Sequence, residues 1–393
     1  MSTPNPYTPG AGIIPPFLAG RETLIQKAED TLCNVQNRYP QQSILYYGLR
    51  GVGKTVLLNT IENSADNRNI LYRHIEVSEN GKFTALLMGG INKFLAEISL
   101  KVQAKEMAKR CLNLVRLFKL TYTVEENTVE VSANDDFTTV SGIYSDDLTE
   151  IFVNLGKAAE RSGDTICFFI DEIQFLSKEE ADGLIIALHR CNQLRLPIVI
   201  FCAGLPKALK MIGEACSYSE RLFQFENVGA LSFTEAQAAI VQPAKEFNVE
   251  YEQAAIEKIF EITEGYPYFI QELCRIVWDS IEQETVTISS VNEAIPVFQQ
   301  SLDDGFFSVR YARCSSQERS FMTAMVLCGE LPCTISCVAK IMGRDTNALS
   351  PCRSRLIEKG MIYSTGHAEI DFTVPQFGLF IKRINPGLSL TDN

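Results

Sequence analysis

From Phe17 onward the chain alternates short, almost wholly apolar runs with longer stretches whose apolar residues recur every three or four positions. The short runs, at 43–47, 69–75, 165–171, 196–202 and about 223–228, read as strands. Runs such as Ile166 to Ile170 show no polar alternation, as a strand buried on both faces requires. Helix-length segments separate the runs. This order predicts an α/β fold, a parallel sheet with helices on both faces.

After Leu231 the pattern becomes all-helical, with helices predicted at 234–247, 251–263 and 268–282. Thr234 followed by Gln237 reads as a capping-box start. From about Gln299 three further helices are expected, at 317–328, 335–342 and 351–359. Ser350 and Pro351 would start the last of them, and Gly360 would end it. Strands at 361–364 and 369–373 around Thr365 and Gly366 follow. Three helices and a hairpin are the plan of a winged helix-turn-helix. The expected division is therefore a Pro- and Gly-rich N-terminal tail or clamp (1–16), an α/β core (17–232), a helical lid (233–298) and a winged-helix domain (299–393).

Composition narrows the class. Of 393 residues, 46% are hydrophobic and 21% charged, which excludes a disordered or fibrous chain. No apolar run approaches the ~18 residues of a membrane span, and the residues from Met1 to Ile14 lack the basic and apolar regions of a secretory signal. The net charge of −12 argues against wholesale adsorption to nucleic acid. The 12 cysteines include no C-x-x-C pair, and most, such as Cys167 and Cys202, lie in apolar strands. They read as small core residues rather than zinc ligands, and imply a reducing, cytoplasmic compartment.

Charge is uneven between 101 and 150. Residues 101–120 hold six basic residues and one acid, whereas 125–150 hold eight acids and no base. We read an amphipathic helix with a solvated face, then a strand or hairpin and an acidic loop. The competing reading is an insertion that binds a partner or DNA.

The chemistry begins at G-x-x-x-x-G-K-T, formed by Gly48, Gly53, Lys54 and Thr55 with Arg50, Gly51 and Val52 between, and Val56 following. It lies directly after one strand run and before a helix, the context in which backbone N–H groups and a helix N-terminus cradle phosphates. Lys54 would meet the β- and γ-phosphates of ATP, and the Thr55 hydroxyl would ligate Mg²⁺. The apolar run 165–170 then ends in Asp171 and Glu172. Asp171 would sit beside Mg²⁺, and Glu172 would orient or deprotonate the attacking water.

With these motifs the chain resembles AAA+ ATPases of the origin-recognition-like branch and the related STAND ATPases. The likeness implies a P-loop core with strand order 5-1-4-3-2, a helical lid and a winged helix. Gly20, Arg21 and Glu22 resemble the box those families place beside adenine. Arg221 falls where they carry an arginine finger; a structural salt bridge is the alternative. Gly265 and Pro267 resemble the Gly-x-Pro motif that links nucleotide to lid position, although plain helix punctuation also accounts for them. The strand preceding Gly204 ends without the family's polar first sensor, which implies slow hydrolysis. No second-sensor arginine is evident; Arg275 stands two turns beyond Pro267.

Residues 301–393 carry ten bases and nine acids. Arg353, Arg355 and Lys359 on the expected recognition helix could meet DNA phosphates or serve a protein-contact face. Three functions thus compete: an ATP-driven regulator of a protein partner or of self-assembly, which charge favours; a DNA-acting ATPase; and a non-catalytic nucleotide-binding scaffold.

Overall fold

The computed structural model describes residues 4–79, 81–122, 140–215, 219–280, 284–366 and 368–387. They form two compact units. One comprises Arg21–Gly48 and Lys54–Val228; the other comprises residues up to Gly20, Leu49–Gly53 and the chain from Gly229.

The first unit contains strands β1 (Ser43–Tyr47), β2 (Leu71–Glu76), β3 (Ile166–Asp171), β4 (Ile198–Gly204) and β5 (Phe223–Asn227). Its helices are α1 (Glu22–Gln36), α2 (Lys54–Asn67), α3 (Phe83–Ile98), α4 (Lys105–Tyr122), α5 (Tyr144–Ser162), α6 (Lys178–Gln193) and α7 (Lys207–Ala215). The strands form one parallel sheet in the order β2-β3-β4-β1-β5, which is the expected 5-1-4-3-2 read from the other edge. Every residue of β3 and β4 is buried, because helices cover both faces of these central strands. Phe168 stacks on Phe152 of α5 at 5.7 Å and meets the edge of Phe94 of α3 at 5.2 Å.

Register prepares the site. Leu45 of β1 and Ile170 of β3 both stand opposite Cys202 of β4. The residues that follow them, Gly48 after β1 and Asp171 at the end of β3, therefore emerge at the same carboxyl edge, where open α/β sheets bind ligands.

The basic segment is the amphipathic helix α4, preceded by a short 3₁₀ turn (Val102–Ala104). Ala108, Cys111, Leu114, Val115 and Phe118 are buried, while Lys105, Lys109, Arg110 and Arg116 are exposed. The acidic loop needs correction, since Asp146, Asp147 and Glu150 belong to α5. Its first turn accommodates carboxylates because the helix N-terminus carries partial positive charge. Asp147 there accepts hydrogen bonds from Ser141 N, at 2.6 Å, and from the Tyr122 hydroxyl, at 2.8 Å. The strand or hairpin expected between these two segments falls on residues 123–139, outside the described residues.

The second unit holds α8 (Phe233–Lys245), β6 (Glu250–Tyr251), α9 (Gln253–Thr263), α10 (Pro267–Ser280), β7 (Thr285–Val286) and α11 (Ile288–Ser301). Next come a π-helical turn (Leu302–Phe307), α12 (Ser308–Ala312), α13 (Ser316–Leu327), β8 (Cys333–Thr334), α14 (Ile335–Met342) and α15 (Thr346–Glu358). Strands β9 (Ile362–Gly366) and β10 (Glu369–Phe372) and helix α16 (Phe377–Ile384) complete it. Strands β8, β10 and β9 form a small antiparallel sheet in that order. The N-terminal segment lies along this unit as a strap: the Tyr7 hydroxyl donates to Ile240 O at 2.5 Å, and Asn5 Nδ2 donates to Arg275 O at 2.9 Å.

Three local readings change. The capping box at the start of α8 is Ser232 with Glu235, not Thr234 with Gln237; Ser232 N donates to Glu235 Oε2 at 2.7 Å. Helix α15 starts at Thr346, five residues before Pro351, because the Asp345 side chain accepts from Asn347 N at 2.8 Å and caps it there. The 298/299 boundary lies inside α11, which runs through the π turn into α12. Among the described residues no helix is long and apolar enough to cross a membrane.

Candidate nucleotide-binding site

Between β1 and α2 the chain makes the loop 48–53. Gly51 and Gly53 adopt φ of +82° and +91°, backbone that a side chain rarely tolerates. At Gly51 a Cβ would also lie 2.9 Å from Tyr266 Cε1. The space beside Gly53 is open, with nothing within 4 Å of a Cβ placed there. Val52 is buried, and Arg50 and Val56 are half-buried. Lys54, only 7% exposed, opens α2 and donates to Gly48 O at 3.0 Å. A helix N-terminus, glycine backbone and a held ammonium are the elements from which a phosphate cradle is built.

Thr55 Oγ1 donates to Asp171 Oδ2 at 2.6 Å. A hydroxyl and a buried carboxylate so placed are hard oxygen donors of the type Mg²⁺ takes together with phosphate oxygens. These residues therefore fit Mg²⁺ bound with a nucleoside triphosphate; Thr55 and Asp171 would hold the ion. When bound, the ion would neutralise charge on the phosphates.

Glu172 directly follows Asp171 and has a left-handed backbone, with φ of +54°. Such strain in a residue other than glycine is concentrated at functional sites. Its N–H donates to Asp171 Oδ1 at 2.8 Å, and its carboxylate accepts from Gln174 Nε2. Gln174, in a 3₁₀ turn (Ile173–Phe175), accepts in turn from Leu205 N at 2.9 Å. This residue escaped sequence reasoning. The end of β4 supplies no polar side chain, and Gln174 brings an amide there from the neighbouring strand's loop. The only signal was a glutamine two positions after the acidic pair.

Beside the sheet edge, His74 of β2 pairs through Nδ1 with Glu62 of α2. That hydrogen bond raises the imidazole pKa above its usual 6.5 against the opposing effect of burial.

The other expected residues fare differently. Arg21 is buried, at 6% exposure, just before α1. Gly20, with φ of +66°, lies against the Glu235 carboxyl group. Arg221 is exposed and, among the described residues, makes no ion pair; its carbonyl accepts from Gln42 Nε2 at 2.8 Å. Gly265 has φ of +70°, and a Cβ there would sit 2.2 Å from Leu231 O, so the turn itself demands glycine. Pro267 is the first residue of α10, where its missing N–H is harmless. Arg275 is engaged by Glu272 and Asp279, at 2.8 and 3.3 Å. In α15 Arg355 and at its end Lys359 lie 3.5 and 2.7 Å from buried Glu318, and Arg353 donates to Ser364 Oγ.

Comparison with known proteins agrees with this fold. Residues 18–201 match the AAA ATPase domain family, and residues 304–381 match a domain of unknown function, DUF8462. Among curated proteins none matches the chain. The Walker-type ATPase of Pyrococcus abyssi superposes with a TM-score of 0.54 at 14% identity, over 93% of this chain and 96% of that one. The Aeropyrum pernix Orc1 protein, solved with DNA, gives 0.47 at 14% identity, over 94% of each chain. RuvB of Thermotoga maritima gives 0.45 at 16% identity, over 90% of this chain and 92% of its own. Only the first of the three is close enough to speak for the fold. Residues 18–201 of this chain thus match an AAA ATPase domain and carry the fold of a P-loop ATPase core.

Proposed function

We propose that this protein is a switch ATPase, which binds Mg-ATP on the loop 48–55 and hydrolyses it slowly to control a protein assembly. The Thr55–Asp171 pair carries this reading, since it joins the N-terminal turn of α2 to the acidic end of β3 within one unit. Asp171 holds Mg²⁺ with Thr55, Lys54 neutralises phosphate charge, and Glu172 orients and deprotonates the water. Slow turnover follows from a first-sensor position served only indirectly, by Gln174. Gly20, Arg21, Gly265 and Pro267 are kept as nucleotide-side residues and Arg221 as a finger toward a neighbouring subunit. Buried Cys167, Cys191 and Cys202 support a reducing, cytoplasmic compartment.

The segment Leu49–Gly53 clusters with the helical unit, which gives nucleotide a route to the lid (233–298) and the C-terminal module (299–393). The helix, strand and hairpin order of that module supports a winged helix. We assign it to protein contact rather than DNA, because Arg355 and Lys359 are tied to Glu318.

The test is mass by light scattering with ADP, ATP and a non-hydrolysable analogue, together with phosphate release with and without duplex DNA. We expect nucleotide-dependent mass and slow release indifferent to DNA. Salt-sensitive, ATP-dependent duplex binding would transfer the function to DNA, and no release under any condition would leave a nucleotide-binding scaffold.

A further inference from the structure

Near Gly51 the helical unit gathers two arginines, Arg50 and Arg310, close enough to act on each other electrostatically. Tyr266 packs on Gly51, and Tyr268 Cβ lies 3.5 Å from the position a Gly51 Cβ would take. Phe306, in the π turn, stacks on Tyr268 with ring centroids 5.0 Å apart. Arg310 lies over Phe306, its Cζ 3.8 Å from the ring centroid, and donates from Nη1 to Phe306 O at 2.7 Å. That uses one of five guanidinium donors. Among the described residues neither Arg310 nor Arg50 has a carboxylate partner. The Tyr266 hydroxyl, in a side chain 2% exposed, has no hydrogen-bond partner there either.

Burial and the nearby Arg50 charge push the Arg310 pKa down to about 10, and both arginines act electrostatically on Tyr266. Two like charges beside an orphaned phenol are unfavourable by themselves, since a buried donor left unsatisfied costs about 1–3 kcal/mol. An anion with several acceptor oxygens resolves all three groups at once. Single π turns of this kind are frequent at functional sites, and here the turn sets Phe306 on Tyr268, which lies beside Gly51.

We propose that Arg310, Arg50 and the Tyr266 hydroxyl form a phosphoryl-anion subsite against Gly51, which lets the helical unit distinguish triphosphate from diphosphate. This rests on reading the loop 48–55 as a nucleotide cradle. Arg310 is thus a specificity-determining residue supplied from beyond the expected lid, whereas Arg275 is already engaged by its own helix.

The experiment compares calorimetric affinities for ADP and a non-hydrolysable ATP analogue in wild type, Arg310→Gln and Arg310→Lys. Arg310→Gln should weaken the analogue on the order of 10- to 100-fold and ADP by less than about threefold, with Arg310→Lys between. An unchanged ratio of the two affinities would overturn the subsite. A wild-type chain that binds neither nucleotide would instead overturn the cradle reading beneath it. Where Arg310→Gln fails to fold, phenylglyoxal modification of Arg310 in wild type, read by peptide mass, decides. Slower modification with the analogue than with ADP supports the proposal, and equal rates with and without the analogue reject it. An arm with ADP plus inorganic phosphate separates the sources: protection equal to the analogue's would assign the subsite to free phosphate, and none would assign it to the nucleotide's own terminal group.

Discussion

The side-chain amide of Gln174 donates to the carboxylate of Glu172 while its carbonyl accepts from Leu205 N. Glu172 is thereby held from a turn that is itself fastened to the end of β4. The polar group missing from that strand end is supplied by the loop after β3. Gln174→Ala should lower kcat by about 10-fold or more, with ATP affinity within about threefold. Equal losses in binding and kcat would mark Gln174 as structural only.

Lys54→Ala should abolish nucleotide binding in calorimetry, because it removes the loop's own charge toward the phosphates. Glu172→Gln should bind ATP as wild type does and release no phosphate. Chelation with EDTA should stop release, and added Mg²⁺ should restore it, provided that Thr55 and Asp171 are intact. Undiminished release in EDTA would remove the metal from these two residues.

His74 gives stability a pH dependence of definite sign. Its folded pKa is raised by Glu62 above the usual 6.5, so the pair stabilises fully below about pH 6.5. That stabilisation is lost as pH rises through the folded value. The gap in urea stability between wild type and Glu62→Gln should be about 1 kcal/mol near pH 5.5 and shrink toward pH 9. A gap that grew with pH would contradict the assignment.

Gly265→Ala forces a left-handed alanine against Leu231 O and should destabilise the protein by about 2–3 kcal/mol. Gly213→Ala, in α7 with nothing within 4 Å of its Cβ position, is the contrast and should be neutral or stabilising by up to about 1 kcal/mol. A mild Gly265→Ala would free that glycine for a role toward nucleotide.

What the residues alone determined is local in origin. The phosphate loop, the Asp171–Glu172 strand end and the apolar runs of β3 and β4 follow from glycine backbone freedom, the spacing of Gly48, Gly53 and Lys54, and the period of burial. Capping was local too but ambiguous: Ser232 outcompeted Thr234, and Asp345 displaced the start expected at Ser350, because several residues nearby could satisfy the same amides. Only the tertiary structure decided which polar groups are committed. Arg275 is engaged, Arg355 and Lys359 answer to Glu318, Gln174 reaches the end of β4, and Tyr266 packs on Gly51 across more than two hundred residues of chain. A side chain's charge is written in its covalent structure, but its availability depends on partners that only folding brings within hydrogen-bonding distance.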